Sequence, residues 1–325
     1  PSADQESVFK ETTEPLVKGL LRGPGKNGLV MAYGATNAGK THTIMGAGGE
    51  DDGILPRTLA ALYKGIVRGE TGGAPDDASP GGGERAGRDH IMRLNFRVVE
   101  VYANKAYDLL RDEEERGEAI VFKRFQGEDT LKGLSAHYPE DLPAALDLVR
   151  LARSRAPVSA TALNQFSSRG HTVWMLEVQR GDGRVAATRN PMLSIVDLAG
   201  SERIERSESD GREASDINGD ISHLFKCFKH VEAGDRYVPC RNRTLTRMLK
   251  NVLVRGANSA DPLMSCVMVV NVNPAASEYS ETQQVLNNAL ISMKARIVEE
   301  PPRAGCGSEP TAYGMNGHLI LKRRK

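Results

Sequence analysis

Eight consecutive residues carry the sharpest chemical signal: Gly34-Ala35-Thr36-Asn37-Ala38-Gly39-Lys40-Thr41. The pattern GxxxxGK[ST] suits a triphosphate for physical reasons. Glycines let the backbone come close to phosphate, and successive N–H groups can then point inward. A following helix adds its positive end. Lys40 would meet the β- and γ-phosphates, and the Thr41 hydroxyl would ligate Mg2+. A chance glycine-rich turn is the competing reading. The apolar run at 29–33, directly before the loop, speaks against it. The chemistry also needs an acid on the metal side. Leu193-Ser194-Ile195-Val196-Asp197 ends an apolar run on a carboxylate, so Asp197 is the candidate, acting through water. Alone it could be a structural cap. Gly200, just after it, can offer its N–H to a γ-phosphate. Together these residues predict a P-loop nucleoside triphosphatase without saying which one.

Such groups need a sheet to hold them. Segments 29–33, 91–102, 192–197 and 263–272 read as buried strands, and 172–179 as a fifth, flanked by Gly170 and by Gly181-Asp182-Gly183. Between them, 55–67 places Leu55, Leu59, Leu62 and Ile66 at helical spacing. The run 280–297 does the same with Val285, Ala289, Met293 and Ile297, with Leu286 and Leu290 beside them. This alternation predicts an α/β fold, a P-loop NTPase three-layer α/β/α sandwich around a mostly parallel sheet. Residues 68–90, with Gly72-Gly73-Ala74-Pro75 and Pro80-Gly81-Gly82-Gly83, read as a mobile surface insertion. Residues 301–325 read as a disordered neck-linker or tail outside the fold. Its end, Lys322-Arg323-Arg324-Lys325, is a solvated tail, an anion site or a localisation signal.

Composition narrows the partners. The 325 residues carry 43 Lys+Arg and 42 Asp+Glu, a net charge of +1. No global field draws the chain to nucleic acid or membrane, so a charged partner must be met by a local patch. With 39% hydrophobic and 26% charged residues the composition is globular. No apolar run approaches the roughly 18 residues of a membrane helix. Cys227, Cys240, Cys266 and Cys306 show no CxxC spacing, which disfavours zinc or a disulfide framework and fits a reducing compartment. The chain starts at Pro1 without signal peptide or initiator Met and reads as a fragment or trimmed chain. One stretch is polarised. From 226 to 255, Lys226, Lys229, Arg236, Arg241, Arg243, Arg247, Lys250 and Arg255 face only Glu232 and Asp235, eight positive charges against two, or +6. An acidic protein surface or nucleic acid would suit it, as would an ordinary solvated helix face.

Three further segments narrow the class. Met31-Ala32-Tyr33-Gly34 runs into the P-loop, which continues as Thr41-His42-Thr43-Ile44-Met45-Gly46. Asn164-Gln165-Phe166-Ser167-Ser168-Arg169-Gly170-His171 resembles the switch I signature NxxSSRSH. Asp197-Leu198-Ala199-Gly200-Ser201-Glu202-Arg203 resembles the switch II signature DLAGSE. In this order they resemble a kinesin motor domain, over about residues 8–298. Glu100-Val101-Tyr102-Ala103-Asn104, Tyr107-Asp108-Leu109-Leu110, Val238-Pro239-Cys240-Arg241 and Leu245-Thr246-Arg247 extend the likeness. Thr36-Asn37-Ala38, Gly53-Ile54-Leu55-Pro56-Arg57-Thr58-Leu59 and Val270-Asn271-Val272-Asn273-Pro274 most resemble the kinesin-six mitotic group.

The resemblance implies a kinesin motor fold over 1–300 and ATP hydrolysis with Mg2+, coupled to movement on microtubules. The location implied is the cytoplasmic cytoskeleton, with the spindle as the mitotic group's place. It implies that Ser167, Ser168, Arg169 and Gly200 close on the γ-phosphate, with Ser168 joining Thr41 and Asp197 at the metal. Arg169 and Glu202 would form the ion pair of the closed state, and Glu202 would help relay a proton from the attacking water. His42 would contact adenine or simply pack. Tubulin would meet Lys226, Lys229, Arg241, Arg243 and Arg247. Nucleic acid ranks far lower, since no base-reading motif accompanies the patch. Dimerisation would need a stalk that this chain does not contain. The alternative is a non-motile, nucleotide-sensitive microtubule-binding module with weak or uncoupled ATPase. An unrelated P-loop kinase or GTPase is a third reading, against which stands the lack of an NKxD-type guanine motif.

Departures from the family pattern motivate the alternative. Gly170 replaces the last Ser of SSRSH. In Ile217-Asn218-Gly219-Asp220-Ile221, Gly219 and Asp220 replace the Lys and Ser of INKSL, putting a helix-weakening glycine beneath the switch. The stretch between Glu202 and Ile217 is a few residues short. Cys240 replaces Tyr, and Thr244 replaces Lys. The family's first strand, with its RxRP adenine contact, is also expected to be missing. That would leave an incomplete sheet with an exposed edge, poor folding or weak ATP binding.

Overall fold

The computed structural model describes residues 4–21, 27–68, 91–115, 117–125, 128–155, 170–180, 190–201, 211–235, 237–253, 265–273, 275–294 and 320–323. Its centre is β1 (Gly28–Gly34), buried along its whole length. Around it stand β2 (Ile91–Tyr102), β3 (Lys105–Asp108), β4 (Ala119–Phe125), β5 (Glu128–Lys132), β6 (His171–Arg180), β7 (Met192–Asp197), β8 (Ser265–Val272) and β9 (Ile320–Arg323). They form one sheet in the order β5-β4-β3-β2-β6-β7-β1-β8-β9.

The sheet is mixed, which corrects the expectation of a mostly parallel one. β7, β1, β8 and β9 run parallel, and the remaining pairings are antiparallel. The cause is short connections. β2 and β3 are joined by Ala103 and Asn104 alone, both at positive φ (47° and 57°). This two-residue turn matches the twist of a hairpin. β6 and β7 are separated by eleven residues, 181–191, fewer than the dozen or more that a parallel crossover needs.

Helices cover both faces, completing the three layers. One side holds α1 (Gln5–Thr12), α2 (Glu14–Leu21), α4 (Ile54–Arg68) and α5 (Leu142–Arg155). The other holds α6 (Gly211–Glu232), α7 (Thr244–Met248), α8 (Lys250–Leu253) and α9 (Tyr279–Lys294). β1 feeds both cores by alternation, with Val30 and Ala32 on the first side and Leu29, Met31 and Tyr33 on the second. On α4, Leu55, Leu59 and Leu62 are fully buried, each contributing about 1.5–3 kcal/mol. On α9, Val285 and Ala289 are buried, while Leu290 is half exposed. α6 continues unbroken through Gly219. Its buried stripe Ile221, Leu224, Phe225 and Phe228 outweighs the roughly 1 kcal/mol that a helical glycine costs.

One expectation at the sheet edge changes. Residues 320–323, expected in a tail outside the fold, pair in parallel with β8. The edge of β8 is therefore covered. An unpaired strand edge offers a row of free N–H and C=O groups, and Ile320-Leu321 is the apolar pair that joins it. The insertion at 69–90 and the tail at 301–319 and 324–325 lie outside the described residues.

Candidate functional site

The site forms where β1 and β7 end side by side. β1 stops at Gly34, and the loop turns through Asn37 (φ 60°) and Gly39 (φ 99°) into α3 (Lys40–Met45). Gly34 is required by crowding. A Cβ there would lie 2.1 Å from the Asn271 carbonyl oxygen of β8. Asn271 also steadies the loop's far side, donating from Nδ2 to Thr43 Oγ1 at 2.8 Å. Thr43 Oγ1 in turn donates to the Gly39 carbonyl at 3.0 Å. Because α3 has only six residues, its dipole adds little to the field. The loop N–H groups and Lys40 carry the positive charge density instead.

Lys40 is buried, and its Nζ donates to the Ala35 carbonyl at 2.8 Å. Thr41 Oγ1 donates to Asp197 Oδ2 at 2.7 Å, joining residues 156 positions apart. The other carboxylate oxygen, Asp197 Oδ1, is buried with no hydrogen-bond partner among the described residues. Burial pushes this carboxyl up, and the Thr41 bond and the Lys40 charge oppose the rise. Beyond β7, Leu198 N–H bonds the Ala32 carbonyl at 3.3 Å and Ser201 N–H bonds the Gly34 carbonyl at 3.2 Å. Gly200 is thereby held against the loop.

A hydroxyl beside a carboxylate with one oxygen unpartnered is an all-oxygen donor set. It suits a hard cation such as Mg2+, which keeps several waters and takes few protein ligands. The glycine-cradled backbone suits phosphate.

His42 is fixed from both sides of its ring. Its Nδ1 lies 3.1 Å from Gln5 Nε2, which also donates to the His42 carbonyl at 2.7 Å. Its Nε2 lies 2.8 Å from Asp51 Oδ2. Both partners come from outside the motif, from α1 and from the turn before α4. Of the two switch segments, residues 170–171 and 197–201 are described. Ser167, Ser168, Arg169 and Glu202 lie outside the described residues.

Behind the loop, the space left by Gly170 is used. A Cβ there would lie 2.7 Å from Glu100 Oε1. Glu100 is buried, its Oε2 has no hydrogen-bond partner among the described residues, and burial pushes its carboxyl up to about 7. His171, the next residue, accepts at Nδ1 from the Ala199 N–H at 3.0 Å.

The basic stretch is less free than its local charge suggests. Lys226 and Lys229 are exposed on α6. Arg241 Nε and Arg247 Nη2 both donate to Asp129 of β5, each at 2.8 Å. Arg247 also stacks its guanidinium 4.3 Å from the Phe122 ring centre. Arg243 turns inward onto α6, where its Nη2 lies 2.3 Å from where a Cβ at Gly219 would sit. Thr244, in place of the family's lysine, donates its backbone N–H to Asn104 Oδ1 at 2.8 Å. Sequence reasoning missed Gln5, Asp51, Glu100 and Asp129, because none belongs to a motif with the residue it touches. Asn271 left a signal, a polar residue inside an otherwise apolar strand.

Comparisons with known proteins point to one family. The family profile described as the kinesin motor domain matches residues 1–294. Kinesin-like protein KIN-14M of Oryza sativa subsp. japonica is 32% identical over 297 residues, covering 89% of this chain and 23% of that protein. Kinesin-like protein 3 of Schizosaccharomyces pombe is 32% identical over 331 residues, covering 99% of this chain and 53% of that protein. A solved KIF14 dimer in a two-heads-bound state, with AMP-PNP and in complex with a microtubule, aligns with a TM-score of 0.71 and 27% identity. That alignment covers 90% of this chain and 78% of the other. The chain thus spans from about a quarter to about half of these curated relatives.

Proposed function

This chain belongs to the kinesin motor-domain family, and from that premise we propose that it is a Mg2+-dependent ATPase whose turnover is stimulated by microtubules and coupled to movement along them. The observation that carries the reading is the 2.7 Å bond from Thr41 to Asp197, made beside a Gly34-to-Thr41 loop of phosphate-binding pattern. Lys40 would leave the Ala35 carbonyl to meet the β- and γ-phosphates. Backbone N–H groups from Ala35 to Thr41 would cradle the β-phosphate, and the Gly200 N–H would meet the γ-phosphate. Thr41 and Asp197 would hold Mg2+, which when bound offsets charge on the phosphate oxygens. Ser167, Ser168, Arg169 and Glu202 keep the roles that the family resemblance implies, closing on the γ-phosphate and orienting the attacking water. Such chemistry needs positioning and charge neutralisation more than covalent help.

For the track we propose the face formed by Lys226, Lys229, Arg241 and Arg247, with Arg243 behind it. Acidic tubulin is the partner by charge, and the KIF14 complex with a microtubule supports the choice. Cytoskeletal location follows from that partner. No described helix is long and apolar enough to cross a membrane. Glu100 and Arg243 occupy the room that Gly170 and Gly219 leave, which weighs against two of the departures behind the non-motile alternative.

The test is steady-state ATP turnover with and without polymerised tubulin, in the wild type and in Lys40→Ala. Stimulation that Lys40→Ala abolishes supports the motor. Binding to microtubules with turnover unchanged would instead support the uncoupled module.

A further inference from the structure

Two of the family departures meet Arg243 in one place. Gly219 and Asp220 sit in the middle of α6, and Arg243 immediately precedes α7. The Arg243 guanidinium lies against Gly219, where a Cβ would come within 2.3 Å of Nη2 and 2.8 Å of Cζ. Only glycine leaves room for this approach, which brings Arg243 Nη1 to 3.8 Å from Asp220 Oδ1. Asp220 is 2% exposed, so its charge needs compensation inside the fold. Its other oxygen, Oδ2, lies 3.8 Å from His171 Nε2.

His171 completes the line. Its Nδ1 accepts from the Ala199 N–H, so the ring hydrogen sits on Nε2 and faces Asp220. That nitrogen has no hydrogen-bond partner among the described residues. Burial, helped by the Lys40 charge, drives the ring's pKa down to about 3 and keeps it neutral. At 3.8 Å both gaps lie just outside hydrogen-bond range, and only the one between Arg243 and Asp220 joins two charges. A shift of about 1 Å in α6 would close or open them. Ala199 adjoins Gly200, the proposed γ-phosphate donor. At the other end, Arg243 stands between Arg241 and Arg247 of the proposed track face. His223 Nε2 bonds the Pro239 carbonyl at 2.7 Å, so α6 and the loop carrying Arg243 move together.

We propose that Arg243, Asp220 and His171 form a polar relay through which the loop before α7 sets the position of the Ala199–Gly200 backbone. All three act as positioning residues for ATP hydrolysis. This rests on the ATPase reading given above. A lysine at 219 would expel Arg243 from its place beside Asp220.

The test uses the full chain with Asp220→Asn, Arg243→Gln, Gly219→Ala and the double variant D220N/R243Q. Gly219→Ala favours the helix, so its folding is not at risk. The first readout is the ¹⁵N signal of His171 Nε2, without nucleotide or microtubules. It should shift in Arg243→Gln and Gly219→Ala as well as in Asp220→Asn, although neither of those residues touches the ring. A His171 signal unmoved by both would overturn the relay. The second readout is ATP turnover. Each single variant should lower microtubule-stimulated kcat about five- to tenfold, with the change in kcat rather than KM. The double variant should be no worse than its weaker parent. Losses that multiply would show independent effects and overturn the relay. A wild type without stimulation would sink the motor reading instead, and the His171 signal would then decide the relay alone.

Discussion

Replacing Asp129 by asparagine removes one negative charge and leaves the shape of the side chain nearly intact. In the wild type, burial pushes this carboxyl up, but the hydrogen bonds from Arg247 and Arg241 outweigh burial and hold it at about 2, against 3.8 ordinarily. That difference corresponds to about 2.5 kcal/mol if nothing screens it. The Asp129 side chain is only 3% exposed, but Arg241 and Arg247 are 36% and 28% exposed. Solvent screening therefore trims the contribution to about 1–2 kcal/mol. In a chain of this size that is roughly 3 °C in Tm. The lowered pKa also sets the pH window. The stabilisation is fully present above about pH 4–5 and is lost as pH falls through 3.8 toward 2. Urea unfolding of wild type and Asp129→Asn should thus differ by a constant amount from pH 8 to pH 5, and by less at pH 3.5. Equal stabilities at pH 7 would refute the reasoning, as would a gap that does not shrink in acid. The released arginines should also lose their fixed placement, and microtubule co-sedimentation reads that change.

Glu100 titrates near pH 7 in the fold against 4.5 ordinarily, so the folded state binds the extra proton and stability falls as pH rises from 4.5 through 7. Glu100→Gln should flatten that slope and gain about 1–3 kcal/mol at pH 8, measured by urea midpoints at pH 5 and 8. Gly34→Ala forces a Cβ to within 2.1 Å of a backbone oxygen, which cannot yield without parting β1 from β8. It should cost about 4 kcal/mol or more, or leave the chain insoluble; a Tm within 2 °C of wild type, on the order of 0.5–1 kcal/mol, would contradict this. Asp197→Asn and Thr41→Val should each raise the Mg2+ concentration for half-maximal turnover by at least about tenfold, which a magnesium titration of ATPase rate checks.

The strands at 29–33, 91–102 and 192–197 were readable because a strand covered on both faces must be apolar nearly throughout. The amphipathic stripes of α4 and α9 were readable for the equivalent reason on a helix. α1 and α2 were missed, because short helices give too few turns for periodicity to rise above composition. β9 was missed because its few residues stand among glycines and basic residues, and its partner strand, not its own pattern, makes it a strand. The hairpin of β2 and β3 turns on Ala103 and Asn104, which lack the Asn-Gly signature that would have announced it.

The Gly34–Thr41 pattern, the apolar strand ending on Asp197 and the family were legible in the sequence itself, because they depend on contiguous residues at fixed spacing. Tertiary structure alone decided how the apparent charges are used. Asp129 reaches Arg241 and Arg247 across 112 and 118 residues, which turns a local patch of +6 into a partly neutralised clamp. Glu100 fills the room beside Gly170, and Arg243 fills the room beside Gly219. Charge compensation and burial depend on distance in space, and a sequence records distance only along the chain.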